Sequence, residues 1–247
     1  MIKTKTMMMK KAIYLLSLLI LILPLTQIAA QSNSQGSPYE FKNGDPSGIG
    51  KWYKGREISY VMGYQGMAWL ERSDREQEEE TSQLLKNMNL KPTDAIADIG
   101  AGSGYHVFKI APKVSDGEVY AVDIQPEMLE AMREKNKKEK QNNIQLIKGT
   151  EQSTNLPENS VDKILMVDVY HEFAYPVEML ASMKKALKAD GKIYLIEYRA
   201  EDPTVPIKRL HKMSEAQAVK EFKANGFQLV ENIDNLPWQH CMVFGVE

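Results

Sequence analysis

Cysteine is nearly absent from this chain, since Cys241 is the only one among 247 residues. A single thiol excludes an internal disulfide, and the place of Cys241 in a predicted strand favours a small buried side chain over a nucleophile. An excess of positive charge is also missing, because the formal net charge is −2. That balance argues against a polyanionic partner such as DNA or RNA. The sequence gives no indication of an oligomeric state.

Acidic residues are missing from the first thirty positions, which instead carry four lysines before an apolar run from 12 to 25. A basic start, an apolar stretch and the small residues Ala29-Ala30 at the exit are typical of a secretory signal peptide. We therefore expect residues 1–30 to be a signal peptide cleaved after Ala30. The protein would then be exported to the periplasm or the medium, without further membrane contact. The alternative is an uncleaved anchor, because residues 12–30 almost span a bilayer.

The rest of the chain divides by composition. Residues 31–50 are rich in Ser, Asn, Gly and Pro, which predicts a flexible leader. Residues 51–90 combine an aromatic, glycine-punctuated segment with a charged helix over 74–88, and we interpret them as an N-terminal lid and helix. Residues 91–247 have the pattern of one folded domain.

Apolar runs and helical patterns alternate along this last segment, which predicts a parallel sheet covered on both faces. Ser214 and Gln217 have the spacing of a capping box at the start of the last helix. The predicted strands cover 95–99, 118–123, 144–148, 161–167, 192–198, 227–233 and 241–246, and the predicted helices before the last one cover 103–112, 126–139 and 176–188. The fold class is therefore α/β, with a doubly wound, seven-stranded and mostly parallel sheet.

Three glycines follow the first predicted strand of this domain, at Gly100, Gly102 and Gly104. Glycine adopts positive φ and lets a ligand approach the backbone without a Cβ in the way, and the start of the next helix offers unpaired N–H groups. The second strand ends in Asp123, where the ribose hydroxyls of a bound nucleotide lie in this kind of sheet. The loop and the acid together predict a site for a nucleoside cofactor.

The third glycine of a dinucleotide fingerprint is missing, because Tyr105 stands at its position. Asp98 precedes the glycines, and the resulting D-x-G-x-G-x-G pattern resembles the first motif of class I S-adenosylmethionine-dependent methyltransferases. Residues 159–164 and 187–192 are similar to two further segments of that family, so the resemblance covers residues 60 to 247. It is closest to the small-molecule enzymes that methylate quinones and arsenite. Arsenite chemistry needs several cysteines, however, and this chain has one.

The resemblance implies a Rossmann-like sheet with an antiparallel last strand, S-adenosylmethionine as the cofactor, and methyl transfer to a small acceptor. Tyr64, Tyr170 and Phe173 would contribute to a largely apolar chamber, which suits an aromatic or lipophilic acceptor. It implies that Asp98 holds the methionine end of the cofactor, that Asp123 binds both ribose hydroxyls, and that Thr150 and Glu151 contact the adenine edge. The other expected cofactor contacts are loop residues: Gly100, Gly102, Gly104 and Ile124. An alternative that stays open is a catalytically inactive protein of this fold, which binds or senses the cofactor in the cell envelope.

Residues 168–173 follow the fourth strand and correspond to the substrate-facing segment of that family. Methylation of an oxygen or nitrogen atom usually requires a base, and histidine suits neutral pH. We predict His171 as the general base, with Glu172 or Asp168 orienting it. The alternative is that this segment only shapes the cofactor pocket.

All four histidines map to the carboxyl edge of the predicted sheet, where ligands bind in such folds. His171, His211 and His240 with Glu172 or Asp168 therefore form an alternative candidate metal site. Their spacing matches no recognised ligand motif, chance clustering in a polar cleft is the competing explanation, and the main prediction assigns no metal. The predicted acceptor contacts are Tyr64, Tyr170, Phe173, His211 and His240.

Overall fold

The computed structural model describes residues 36–247. The predicted signal peptide, residues 1–30, lies outside these described residues. Within 36–247, no helix combines the length and the apolar character needed to cross a membrane.

A small antiparallel sheet of three strands comes first in the described chain. Its strands are β1 (Tyr39–Phe41), β2 (Gly48–Tyr53) and β3 (Arg56–Ser59). Tyr39, Tyr53 and Ile58 are buried in one apolar cluster at this sheet. The prediction of a flexible leader over residues 31–50 is therefore wrong for the part that forms β1 and the start of β2. Burial of the aromatic side chains stabilises strands there despite the Gly- and Pro-rich composition.

Three short helices precede the large sheet: α1 (Met67–Leu70), α2 (Arg75–Glu79) and α3 (Thr81–Asn87). The single helix predicted over 74–88 is broken between α2 and α3, where Glu80 has a left-handed φ of 46°. The neighbouring Glu79 is buried and pairs with Arg72 and Arg75. Glu79 also accepts a hydrogen bond from the Tyr198 hydroxyl at 2.8 Å, and this tertiary burial of its side chain overrides the helical pattern at this point.

Seven strands form the main sheet: β4 (Ala95–Ile99), β5 (Glu118–Asp123), β6 (Ile144–Lys148), β7 (Val161–Val167), β8 (Leu187–Tyr198), β9 (Phe227–Asn232) and β10 (Gln239–Val246). The helices that alternate with them are α4 (Val107–Ile110), α5 (Pro126–Glu139), α6 (Pro176–Ala186) and α7 (Glu215–Lys223). The spatial order is β6-β5-β4-β7-β8-β10-β9, and β10 runs antiparallel to β8 and β9. The predicted α/β fold, with a mostly parallel seven-stranded sheet and an antiparallel last strand, is confirmed.

Both faces of the main sheet are covered, because successive side chains of its strands enter different apolar clusters. In β4, Ala97 and Ile99 join the cluster that contains α6 and α7, whereas Ile96 joins the cluster of α3, α4 and α5. In β8, Leu195 and Ile196 divide in the same way. Strands buried on both faces have nearly continuous apolar sequences, which is why the sequence predicts them well.

Three elements begin at a different residue from the one predicted. Helix α4 begins at Val107 rather than at 103, because Gly104 has a φ of 82° and lies outside the right-handed helical region. Strand β8 begins at Leu187 rather than at 192, because Leu187 already pairs with Val161 of β7. Strand β10 begins at Gln239, and this places His240 inside the strand rather than before it.

The predicted cap of α7 is present in part. The hydroxyl of Ser214 accepts a hydrogen bond from the N–H of Gln217 at 3.2 Å. The Gln217 side chain donates instead to the carbonyl of Lys54 and to Glu221. One half of the capping box therefore forms, and the Gln217 side chain ties α7 to the small sheet.

A buried ion pair also joins the small sheet to α7. Arg56 donates through Nε and Nη2 to the two carboxylate oxygens of Glu221, at 2.7 and 2.9 Å. Its Nη1 donates to the backbone carbonyl of His171 at 3.0 Å. The Glu221 side chain is fully buried, so its charge depends on Arg56 for compensation.

Replacing Arg56 by Met should destabilise the protein strongly, because it leaves the Glu221 charge buried without its partner. We expect the free energy of unfolding in urea to fall by about 3–5 kcal/mol. The control is Lys42→Ala, which breaks an exposed pair with Glu40 and should cost less than about 1 kcal/mol. Similar losses in the two variants would contradict the role given to Arg56.

Candidate active site

A cavity of about 440 Å³ opens at the carboxyl ends of β4, β5 and β7. This is the edge at which open parallel sheets bind ligands, and the volume is ordinary for a small-molecule site. Its walls come from separate segments of the chain: residues within 61–79, 99–102, 122–128, 149–153, 167–179 and 198–211.

The glycine loop forms one wall of the cavity. Gly100, Gly102 and Gly104 all have positive φ, at 73°, 56° and 82°. A Cβ on Gly100 would lie 2.4 Å from Val169, and one on Gly102 would lie 2.6 Å from Leu70. The loop therefore requires glycine both for its backbone conformation and for close packing.

Asp123 at the end of β5 is joined directly to this loop. Its Oδ2 accepts a hydrogen bond from the N–H of Gly102 at 2.9 Å, and its Oδ1 accepts one from the N–H of Gln125 at 2.8 Å. Burial raises the pKa of the Asp123 carboxyl, while these backbone donors oppose the shift. The sequence prediction that loop and acid belong to one site agrees with this geometry.

Asp98 lies buried at the end of β4, and its Oδ2 has no hydrogen-bond partner among the described residues. Burial raises the pKa of this carboxyl to about 7, although the Arg75 guanidinium acts in the opposite direction. An unpartnered buried carboxylate fits a ligand that brings positive charge or hydrogen-bond donors. S-adenosylmethionine brings ribose hydroxyls, which fit Asp123 at the cavity wall. It also brings an ammonium group, which is a partner of the kind that Asp98 lacks.

The predicted cofactor contacts divide into two groups. Asp98 and Gly104 do not line the cavity of this structure. Those that line it are Gly100, Gly102, Asp123, Ile124, Thr150 and Glu151.

His171 lies in a turn after β7 and is held by a residue that the sequence argument did not select. Its Nδ1 donates to Oε2 of Glu197 at 2.6 Å. The Glu197 side chain is fully buried near the end of β8. The prediction that Glu172 or Asp168 orients His171 is therefore wrong. The available signal was a single acid inside the apolar run of β8, where a buried charge needs a partner.

Two further side chains complete what we call the histidine cluster, defined as His171, His211 and Glu172. Nε2 of His171 lies 3.0 Å from Nδ1 of His211. Oε1 of Glu172 lies 3.6 Å from the same His211 atom and 3.9 Å from Nε2 of His171. The N–H of Met62 donates to this Glu172 oxygen at 3.0 Å. All three cluster residues line the cavity.

The electrostatics of the cluster are uneven. Burial disfavours the charged form of His171, but Glu197 outweighs it and raises the pKa of that imidazole. Burial and the neighbouring His171 lower the pKa of His211 to about 4. Burial raises the pKa of Glu172 to about 7. His171 is thus the more basic imidazole of the pair.

Asp168 belongs to a different group of polar side chains. Its Oδ2 accepts a hydrogen bond from Gln239 at 2.6 Å, and its Oδ1 has no partner among the described residues. Burial raises its pKa well above the usual range, and the nearby Glu79 adds to the effect. Glu79 also accepts a hydrogen bond from the Tyr198 hydroxyl at 2.8 Å. Four members of this group that the sequence argument missed also line the cavity: Arg72, Arg75, Glu79 and Tyr198.

His240 is not part of the site. Its Nε2 lies 3.0 Å from Glu201, its Nδ1 lies 3.2 Å from Asn232, and it does not line the cavity. The alternative prediction of a metal site is therefore wrong in naming His240 as a ligand. The physical reason is that His240 lies within β10, paired with Glu197 of β8 in the strand register, rather than in a loop at the edge.

The other predicted acceptor contacts also divide. Phe173 and His211 line the cavity, whereas Tyr64 and Tyr170 do not. Tyr170 is fully buried and donates its hydroxyl hydrogen bond to Glu221 at 3.0 Å. Tyr64 is 41% exposed. Together with Phe173, apolar side chains from the N-terminal segment, α5, α6 and the segment after β8 form an apolar wall: Val61, Met62, Trp69, Leu70, Met128, Met179, Pro206 and Ile207.

Comparison with known proteins gives a family. The family described as methyltransferase domain matches residues 90–241, more than half of the chain. The chain is 25% identical over 164 residues to the uncharacterized methyltransferase YcgJ of Bacillus subtilis, covering 65% of this chain and 64% of that protein. It is 32% identical over 129 residues to the uncharacterized methyltransferase-like protein C25B8.10 of Schizosaccharomyces pombe, covering 51% of this chain and 46% of that protein. The chain thus matches about half to two thirds of the length of these relatives.

A solved structure has the same architecture. The crystal structure of an S-adenosylmethionine-dependent methyltransferase from Aquifex aeolicus is similar with a TM-score of 0.71 and 23% identity, covering 76% of this chain and 100% of that one. At this identity the likeness shows the fold alone. The family match, the strand order and the glycine loop joined to Asp123 agree, and the chain therefore belongs to the class I S-adenosylmethionine-dependent methyltransferase family.

Proposed function

We propose that this protein transfers a methyl group from S-adenosylmethionine to a small acceptor bound in the cavity. The observation that carries the proposal is that one cavity connects the glycine loop and Asp123 with the histidine cluster. The glycine loop and Asp123 fit the cofactor, and the histidine cluster offers groups that accept protons. A cofactor and an acceptor bound in the same enclosed space have the proximity that a displacement reaction needs.

The acceptor is a small aromatic or lipophilic molecule. The apolar wall described above includes the aromatic rings of Trp69 and Phe173, and such a lining favours apolar ligands held by a few polar groups. Trp69 is 46% exposed, which leaves part of its ring available to an incoming molecule. The acidic net charge supports a small molecule over a nucleic acid.

The chemistry of the step divides between cofactor and protein. The bound cofactor supplies an electrophilic methyl group on a sulfonium, which is transferred in line. The protein aligns the acceptor atom, excludes water and accepts the proton that an oxygen or nitrogen nucleophile loses. We assign proton acceptance to Nε2 of His171, because Glu197 holds Nδ1 and stabilises the resulting imidazolium.

A second candidate function is binding without turnover, by a protein of this fold that senses S-adenosylmethionine in the cell envelope. The predicted export favours it, because this cofactor is made in the cytoplasm. Tight binding of the cofactor and of its demethylated product, with no methyl transfer to any acceptor in a labelled extract, would favour this function over the enzyme.

Replacing Asp123 by Ala should weaken cofactor binding by at least tenfold, since a hydrogen bond to a charged group contributes about 1.5–3 kcal/mol. Isothermal titration calorimetry with S-adenosylmethionine measures the change. Asp116→Ala is the matched control, because this exposed acid lies before the opposite end of β5 and should have no effect. Unchanged affinity in Asp123→Ala, or no binding by the unaltered protein at millimolar concentration, would overturn the cofactor assignment.

Replacing His171 by Ala should lower methyl transfer at least about a hundredfold while cofactor affinity stays unchanged. The assay follows labelled methyl groups from S-adenosylmethionine into a small-molecule extract. His240→Ala is the control, because His240 makes a comparable carboxylate contact outside the cavity. Undiminished transfer by His171→Ala would remove the role given to the histidine cluster but not the cofactor site.

We also propose that the protein is exported, on the signal-peptide pattern of residues 1–30. Intact-mass measurement of the protein from its native host should give an amino terminus at Gln31. An amino terminus at Met1 in a membrane fraction would contradict cleavage and favour the anchor.

A further inference from the structure

We infer that the histidine cluster binds a divalent transition-metal ion of the zinc type, through Nε2 of His171, Nδ1 of His211 and Oε1 of Glu172. The ligand atoms come from two separate segments, a turn after β7 and a turn in the long connection after β8. They lie within 4.8 Å of one another. No other group of this kind with three members is present in residues 36–247.

The separations of the three atoms suit one shared ion. They are 3.0, 3.6 and 3.9 Å. A tetrahedral ion with bonds of about 2.0–2.1 Å spaces its ligands about 3.4 Å apart. Each separation therefore needs to change by only about half an ångström or less to reach that geometry. Two imidazoles and one carboxylate are also a ligand set that zinc and iron use in proteins.

The partners around the ligands are those of a metal site. Glu197 accepts the Nδ1–H of His171 at 2.6 Å, which leaves the lone pair on Nε2 and points it at the cluster. Arg56 donates a hydrogen bond to the backbone carbonyl of His171 at 3.0 Å, and the N–H of Met62 donates one to Oε1 of Glu172. Hydrogen bonds of a ligating histidine to a carboxylate, and donors to a ligating carboxylate, are what orients ligands in known metal sites.

The charge of the site calls for a cation. Glu172 and Glu197 are both buried, and no lysine or arginine of the described chain forms a salt bridge with either one. Arg56 is already paired with Glu221. Two buried carboxylates without a salt bridge to lysine or arginine are costly, and a divalent ion at the histidine cluster compensates them.

The site is open on the cavity side. Its three ligands all line the cavity, and three protein ligands with one free position are typical of catalytic rather than structural zinc sites. The role of the ion rests on the proposed function: an acceptor with a hydroxyl group supplies the fourth ligand. The hydroxyl proton is lost to solvent, and the oxygen lone pair attacks the methyl carbon. The carbon–sulfur bond breaks, and its electrons stay on sulfur as the neutral thioether. With an ion bound, its Lewis acidity takes over the proton-removing role given above to His171.

The test measures metal binding on the full chain, purified with a tag that contains no histidine. Elemental analysis should give about one zinc-type ion per chain, and titration of the metal-free protein with Co²⁺ should produce the visible absorption bands of a tetrahedral site. His211→Ala should weaken Co²⁺ affinity by more than about a hundredfold, beyond the roughly 10- to 100-fold that Glu197→Gln should cost as a change in an outer partner. His211 has the more exposed side chain of the two histidines, so we expect the His211→Ala variant to fold.

His240→Ala is the matched control and should bind Co²⁺ as the unaltered protein does. The inference is overturned if the metal-free protein binds neither Zn²⁺ nor Co²⁺ stoichiometrically at micromolar concentration, or if His211→Ala binds Co²⁺ normally. It is also overturned if His240→Ala loses as much affinity as His211→Ala. Calorimetry with S-adenosylmethionine on the same samples separates the two proposals. Retained cofactor binding without metal binding removes the ion alone, whereas lost cofactor binding removes the proposed function.

Discussion

The hydrogen bond between Nδ1 of His171 and Oε2 of Glu197, at 2.6 Å, is the interaction on which the histidine-cluster end of the cavity depends. It links the turn after β7 to the end of β8, two adjacent parallel strands at the centre of the sheet. Because Glu197 is fully buried, leaving it without this partner would be costly. The bond therefore fixes the His171 ring, and the contacts of that ring with His211 and Glu172 follow from its orientation.

The parallel register explains why this end meets the cofactor end. Strands β4, β5 and β7 lie side by side in one direction, so the turns that follow them open on the same edge. The glycine loop and Asp123 occupy the β4 and β5 positions, and the turn that carries His171 occupies the β7 position. The N-terminal segment also contacts the histidine cluster, because the N–H of Met62 donates a hydrogen bond to Glu172. The glycine loop, Asp123 and the histidine cluster are thereby combined in one cavity.

Much of the fold was predictable, because apolar runs bounded by glycine and charged residues mark buried strands. The bounds of β4, β5, β6, β7 and α5 equal those expected from sequence. The site was predictable only in part. The loop signature placed the glycine loop and Asp123 in one site, and the structure joins them by a hydrogen bond. Glu197, in contrast, pairs with His171 through strand order and tertiary packing, which no local spacing reveals. Likewise, His240 was expected at the edge and lies within β10, bonded to Glu201, and β1 forms through a tertiary contact of Tyr39.

The central claim is that cofactor and histidine cluster face each other across the acceptor space. A crystal structure of the protein with S-adenosylhomocysteine tests it most directly, because the sulfur marks the origin of the transferred methyl group. The account predicts the ribose at Asp123 and the sulfur facing His171 and His211, with room for an acceptor between them. A ligand bound away from Asp123, or a sulfur separated from the histidine cluster by packed side chains, would contradict it.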